Sequence, residues 1–380
     1  MTDGRPAAHL GWRGWTALAL LALLVGCSSG SRRPEPAPLA PSPNLIGLRQ
    51  AWTASLGDVD FPLVVHAVGS TVALADEEGY VSLLDARTGE ALWRAPAGAA
   101  LTAGVGHDGR SAAVMTVDNE LVVLEEGREL WRQRLPAPSY TPPLVAGARV
   151  FVLGADRMVS AFDGRSGRRL WSQARSGEAL VLRQPGVLMA VGDTLVVGLS
   201  GRLVGMNPLN GTSRWEVPIA SPRGTNDVER LVDLVQGLSR QGSVVCVRAF
   251  QAAVGCVDAA RGALLWSRAA AGGAGLHGDA ALVLGVEFDG TLQAWRRSDG
   301  EPAWRMEQLR YRQLTAPLAM GPSVVLGDGD GHLHFHAAAD GALQTRIETD
   351  GSPIAATPVL AGNTLVVVTR RGTVYGLRPE

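Results

Sequence analysis

The sequence predicts an all-β fold: an eight-bladed β-propeller with four antiparallel strands per blade, its ring closed by pairing of the N- and C-terminal strands. Three observations predict it. First, a tryptophan recurs at Trp52, Trp93, Trp131, Trp171, Trp215, Trp266 and Trp304, at intervals of 41, 38, 40, 44, 51 and 38 residues, and Thr345 stands 41 residues further on in the place of an eighth. A period of about 42 is that of a four-stranded propeller blade. Second, a glycine lies four residues before each of these anchors except the first: Gly89, Gly127, Gly167, Gly211, Gly262, Gly300 and Gly341. Third, the two ends are complementary. The final "TLVVVTRRGTVYGLRPE" offers two strands and no closing tryptophan, while "LRQAWTASL" at 48–56 offers the missing strand with Trp52. Seven complete units and one shared between the ends make eight, and a ring closed in this way leaves no full-length open sheet edge.

Residues 1–26 read as an export signal. Arg5 and Arg13 lie in a polar leader before the apolar run "TALALLALLVG" at 16–26, which is shorter than the roughly 20 residues that span a bilayer. The run ends in Leu24, Val25, Gly26 and Cys27, and "LVGC" resembles the bacterial lipobox, in which the cysteine is lipidated and becomes the new N-terminus. The alternative is an ordinary cleaved signal with an incidental cysteine. Two or more acyl chains anchor a protein stably. Ser28 follows Cys27 where an Asp would signal retention in the inner membrane, so the expected address is the periplasmic face of the outer membrane. Residues 27–44, "CSSGSRRPEPAPLAPSPN", are rich in Pro and Ser and read as a semi-extended tether. Residues 45–380 form the propeller.

Within each period the strands follow one grammar. "GSTVALADEEGYVSLLDARTGEALWRA" at 69–95 gives a strand, a turn at 77–79, a strand, a turn at Thr88 and Gly89, and a strand ending at Trp93. Glycine is required where the hairpin backbone turns to positive φ. The Asp or Asn four residues before it (Asp85, Asp163, Asn207, Asp258) is placed to hydrogen-bond the turn backbone. Each tryptophan buries on the order of 150–250 Å² and is expected to fill the space between neighbouring blades. A phrase repeated in this way is architecture, because catalysis needs one such Asp and not a distributed set.

The composition excludes some partners. With 35 basic and 36 acidic residues there is no general attraction to nucleic acid. Beyond Cys27 the chain has only Cys246 and Cys256, flanking a hairpin-like "VRAFQAAVG". In an oxidising compartment they form a cross-strand disulfide if the turn sets them opposite one another; cysteines ten apart are a poor metal signature. "GHLHFH" puts His332, His334 and His336 on one face of a strand, and "GDGDG" at 327–331 lacks the glutamate of a calcium loop. Both read as structure, with no metal site expected. From residue 31 onward the chain shows no GxSxG, and it has no HExxH, CxxC or phosphate loop, so neither a catalytic residue nor a cofactor is expected.

Function is then sought where the period stretches. The 44-residue interval contains "SGEALVLRQPGVLMAVGD" at 176–193, with Leu180, Leu182 and Arg183; the 51-residue interval contains "SPRGTNDVERLVDLVQGL" at 221–238, with Glu229, Arg230, Leu231 and Asp233. Loops on a rigid scaffold concentrate recognition residues, and apolar anchors beside arginine suit a protein–protein contact. Equally, the leucines read as core of the following blade's first strand.

The ordered combination of lipobox, tether, eight-unit series and both stretched intervals resembles the family of outer-membrane protein assembly factor BamB. Local likeness is concentrated at "LVLRQ", "DVERLVDL", "LTAPLAMGPSVVLGDGDGHLHF" and the terminal "GTVYGL". The resemblance implies a non-catalytic lipoprotein subunit of the β-barrel assembly complex. It would bind the POTRA domains of BamA, help insert outer-membrane barrel proteins, and offer blade edges to unfolded barrel strands by β-augmentation. It carries the BamA contact onto Leu180, Leu182 and Arg183 through a Leu-x-Leu-Arg segment, and the first member of an acidic pair onto Asp233. The second member of that pair is Val235 here, and Thr345 replaces the expected tryptophan.

The alternative function is a periplasmic quinoprotein-like dehydrogenase, which also uses latched blades. Such enzymes add a cofactor pocket over the ring axis, a carboxylate-held metal and a non-repeated catalytic Asp. At 336 residues from Leu45, this chain has little length for those additions, and its cysteines are not adjacent.

Overall fold

The computed structural model describes residues 1, 2, 4, 34–175 and 180–380. The export signal from residue 5 onward, Cys27 and residues 176–179 of the first stretched interval lie outside the described residues. Residues 1–36 and 37–380 are separate compact units, and the second carries every strand.

Among the described residues all regular elements are strands, grouped into eight antiparallel sheets of four. Seven are continuous in sequence: blades 1 to 7 span residues 66–96, 101–134, 144–174, 188–218, 234–269, 276–306 and 318–348. Blade 8 combines Val359–Ala361, Thr364–Val368 and Thr373–Pro379 with Leu48–Ser55, which pairs from Ser55 opposite Thr373 to Leu48 opposite Pro379. The eight-bladed ring and its closure by the two chain ends are thus as the sequence predicts.

The first strand of each blade is innermost. His66–Val68 touches its counterparts Leu101–His107 and Val359–Ala361 in the neighbouring blades. Second and third strands are buried on both faces, as in Thr71–Ala75 and Tyr80–Asp85, because each blade is covered by another on either side. Apolar clusters accordingly cross blade boundaries: Val81 and Leu83 of blade 1 pack with Val114 and Val122 of blade 2. Antiparallel alternation also fixes two ends of the ring. Loops joining a fourth strand to the next first strand, and turns joining second to third strands, share one end, here called the loop face.

The recurring phrase forms a joint between blades. In the turn before the outer strand of blades 1 and 3 to 7, the glycine N–H donates to the carbonyl four residues back, as Gly89 does to Asp85 and Gly167 to Asp163. The Asp or Asn side chain accepts from the turn: Asp85 from Arg87 N–H at 2.8 Å, Asp163 from Ser166 at 2.9 Å, Asn207 from Leu209 at 2.9 Å and Asp258 from Ala260 at 3.0 Å. A register shift lies between the turn and the tryptophan in blades 1 to 6, as at Ala161/Phe162 and Cys256/Val257, extruding one residue as a bulge. The tryptophan then lies against the turn glycine of the next blade: Trp52 on Gly89, Trp93 on Gly127, Trp131 on Gly167, and so on to Trp304 on Gly341. These glycines have φ between 63° and 77°, and a Cβ at any of them would meet the indole ring or, at Gly127, the tryptophan's own Cβ. Five of the indoles also donate to a carbonyl of that next blade: Trp52 to Ala86, Trp131 to Gly164, Trp171 to Pro208, Trp266 to Arg297 and Trp304 to Ala338, at 2.8–3.0 Å.

Two other sequence features fall into place. Val244–Ala249 and Ala253–Asp258 form a hairpin that pairs Cys246 with Cys256, and the two are joined as a disulfide in a cluster with Trp266 and Trp295. His332, His334 and His336 share one face of His332–Ala337, with rings 5.9 and 6.4 Å apart. Asp328 is fully buried; it accepts from Arg312 Nε at 2.8 Å, from the His332 N–H at 2.8 Å and from His334 Nε2 at 3.0 Å. Burial alone would raise its carboxyl, but these hydrogen bonds hold it well below the usual carboxylate range. Asp328, Asp330 and His332 cluster tightly enough to suggest a cation site, but the Asp328 oxygens are occupied by donors. The "GDGDG" segment is a turn.

Two outcomes are expected. Trp266→Ala should cost about 3–5 kcal/mol in chemical denaturation, because it empties a site only 6% exposed and removes the bond to Arg297. The second concerns pH. Burial lowers the His336 pKa to about 4; Nδ1 donates to the Gly341 carbonyl at 2.9 Å, while Nε2 has no partner. The unfolded chain therefore binds a proton between pH 6.5 and 4 that the folded chain refuses, so stability falls as pH drops through that window, by about 3 kcal/mol at most from this group. Melting temperature should decline over that range, and less steeply in His336→Phe.

Candidate functional site

The two stretched intervals are the connections from blade 3 to blade 4 and from blade 4 to blade 5, so both emerge on the loop face. Blade 4 begins at Leu188; residues 180–187 precede its first strand, and the leucines are not strand core. Leu180 is 39% exposed, Leu182 is half-buried and Arg183 is exposed.

Asp233 holds this segment from the neighbouring connection. One carboxylate oxygen accepts from Arg157 Nη1 at 3.0 Å, the other from the Leu182 N–H at 3.1 Å. Arg157 Nη2 donates to the Leu180 carbonyl at 2.9 Å, so arginine and aspartate grip the segment at two successive points. Arg157 is 6% exposed and lies in the turn between the second and third strands of blade 3, with φ 61°. Further along, the Gly186 N–H donates to Thr141 Oγ1 at 3.0 Å, the Gln236 N–H to the Pro185 carbonyl at 2.8 Å, and Gly186 bridges to Val235. Arg183 extends over Tyr140, its guanidinium carbon 5.5 Å from the ring centroid.

Leu180, Leu182 and Asp233 are therefore brought together, with Arg183 beside them. The chemistry divides between them. Leu180 and Arg183 present an apolar and a cationic group outward, whereas the Asp233 carboxylate is engaged within the protein. Val235 is 3% exposed and lies under the segment, where an acid would be buried. In the second interval, Glu229 is exposed and closes its own turn by accepting from the Thr225 N–H at 2.8 Å. Sequence reasoning missed Arg157 and Tyr140. Arg157 lies 76 residues from Asp233 inside an ordinary hairpin turn, and no local pattern marks it.

The mouth of the ring axis opens on the same face as a cavity of about 580 Å³. Its walls are the segments leading into the first strands, chiefly small and apolar groups such as Leu63, Pro185, Leu238, Ala316 and Ala356. Among the described residues, Asp60 is the only carboxylate that lines it, and it is paired with Arg370 at 3.1 Å. The walls thus offer neither a set of carboxylates for a metal nor a free acid beside one.

The family model for outer membrane protein assembly factor BamB matches residues 77–306. The outer membrane protein assembly factor BamB of Burkholderia pseudomallei is 36% identical over 96% of this chain and 97% of its own length. Among solved structures, BamB from Moraxella catarrhalis superposes with a TM-score of 0.79 at 24% identity, over 87% of this chain and all of that one. A quinohemoprotein alcohol dehydrogenase from Comamonas testosteroni shares the fold with a TM-score of 0.66 at 15% identity, over 89% of this chain and 78% of its own.

Asp233→Ala should lower stability by about 2 kcal/mol, because charged hydrogen bonds are worth about 1.5–3 kcal/mol each and this site is partly solvated. The more telling measurement is hydrogen exchange: the Leu182 amide should exchange faster in the variant, while amides of blade 1 keep their wild-type rates.

Proposed function

Because the chain belongs to the outer membrane protein assembly factor BamB family, we propose that it serves as a non-catalytic scaffold in the β-barrel assembly complex of a Gram-negative outer membrane, where it assists the assembly and insertion of barrel proteins. It does so as a lipoprotein anchored through Cys27 at the periplasmic face, with BamA as its partner. Leu180, Leu182 and Arg183 engage the POTRA domains of BamA, and Asp233 acts on that contact as a positioning residue.

One observation carries this reading: an exposed Leu-x-Leu-Arg segment, outside any strand, is gripped at both leucines by a largely buried Arg157–Asp233 pair. A segment fixed before binding loses little conformational entropy on association, which is how a small contact gains affinity. Leu180 supplies apolar area, and Arg183, lying over Tyr140, presents its charge with restricted freedom. Arginine and aromatic residues dominate such contacts. Outer strands of blades other than blade 7 are in addition available to unfolded barrel strands.

The test is binding of the full mature chain to the BamA POTRA domains. Arg183→Glu should weaken it by about tenfold or more, as expected for a charge reversal at a hot spot, with an unchanged melting temperature. Equal binding by both proteins would leave the partner standing and misplace the site. No binding by either would remove the partner.

A further inference from the structure

Seven joints of the ring are made by a tryptophan lying on the next blade's turn glycine. The eighth, between blades 7 and 8, has lost both halves at once. Thr345 stands in place of the tryptophan, and the residue four before Trp52, where the glycine belongs, is Leu48. Nor does a turn join the third and fourth strands of blade 8, since one ends at Pro379 and the other starts at Leu48. At this joint lies the segment expected to be a free tether.

Residues 37–46 run along the outer strand of blade 7, Leu343–Glu348, in the opposite direction. At the loop face, the Ala37 N–H donates to the Arg310 carbonyl at 2.9 Å, and Arg312 Nη1 donates to the Ala37 carbonyl at 3.0 Å. Arg312 is itself fixed by Asp328 and Asp330. Midway, Arg346 Nη1 donates to the Ala40 carbonyl at 2.9 Å, and the Arg346 N–H to Ser42 Oγ at 3.0 Å. At the far end, Thr345 Oγ1 donates to Asn44 Oδ1 at 3.2 Å, and the Leu45 N–H to the Gln344 carbonyl at 2.8 Å. Gln344 is the bulge residue of this blade.

Apolar groups follow the same path. Leu39 packs against the cluster containing Met306 and Leu309, and Ile46 and Leu48 against that containing Phe335 and Leu377. Pro38, Pro41 and Pro43 are exposed, and having no N–H they cannot extend the sheet. The segment thus covers an edge strand without creating a new one.

We propose that residues 37–46 are the eighth latch of the ring, standing in for the absent tryptophan–glycine pair. The chain then enters the ring at Ala37 on the loop face, the face that also carries Leu180 and Arg183. With an anchor at Cys27, which rests on the reading above, the ten residue steps from Cys27 to Ala37 span at most about 35 Å.

The test uses the full mature chain with Cys27→Ser and changes only strap side chains, Leu39→Ser with Asn44→Gly. Native 37–44 should resist protease and the Leu45 amide should exchange slowly. In the double variant, cleavage there should quicken by about tenfold or more, and the melting temperature should fall by about 3 °C or more. Rapid trimming of the wild-type segment, or a variant that matches wild type in both Leu45 exchange and melting, would overturn the proposal. Spin labels test the entry point separately: a label at Pro38 should lie nearer one at Tyr311 than one at Asp340, and the reverse order would overturn it. Neither measurement involves BamA, so its outcome is independent of the partner.

Discussion

The molecule depends on one packing constraint, the seating of each tryptophan on a glycine of the next blade. Individual blades bury apolar surface on both faces and have no core of their own. Val81 of blade 1 and Val122 of blade 2 belong to one cluster, so stability resides between blades. The flat indole needs a surface without a side chain, and a turn at positive φ needs a residue without a Cβ. Glycine meets both demands at one position. In five of the seven joints the indole N–H then fixes the distance between neighbours through a carbonyl of the same turn. Packing, turn geometry and hydrogen bonding all require the same spacing, which is why the phrase survives around the ring while the residues between its fixed points vary.

A rigid ring of this kind sorts residues by role. The repeated positions are committed to the joints, and the loop face is left free to carry recognition. There the Arg157–Asp233 pair does for the contact segment what the latches do for the blades. It bonds the Leu180 carbonyl and the Leu182 N–H and so fixes a stretch that has no strand to hold it. A charged pair suits this position because both partners are largely withdrawn from solvent and share several hydrogen bonds. An apolar contact of similar area would bury the segment without orienting it.

The fold does not choose between scaffold and enzyme, since a dehydrogenase shares it at 15% identity. The family does: the chain is 36% identical, over nearly its whole length, to a relative named outer membrane protein assembly factor BamB. Among the described residues, Asp60 is the one carboxylate that lines the axial cavity, and it is matched by Arg370. On the loop face Leu180 and Arg183 are turned outward and suit a protein surface.

What the sequence alone determined was what is held by the repeat's short spacings: the glycine four before the tryptophan, the Asp or Asn four before that, and the three histidines on one strand face; that Cys246 faces Cys256 was decided by the register of their hairpin. Such contacts are made within one turn or one hairpin, so their geometry is written locally and repeats with the blade. Blade 8 was legible too, because its missing strand is itself a copy of the repeat. Leu180, Leu182 and Arg183, the residues proposed for the contact, stood out only where the period stretched and where the resemblance marked them. What the tertiary structure decided was every contact between distant, non-repeating positions. Asp233 became an internal brace because Arg157, from another blade, reaches it. Residues 37–44 became a strap because the joint beside Thr345 has neither indole nor glycine. Proline and serine in that segment describe a chain with few internal bonds, and only the fold reveals that blade 7 supplies the donors.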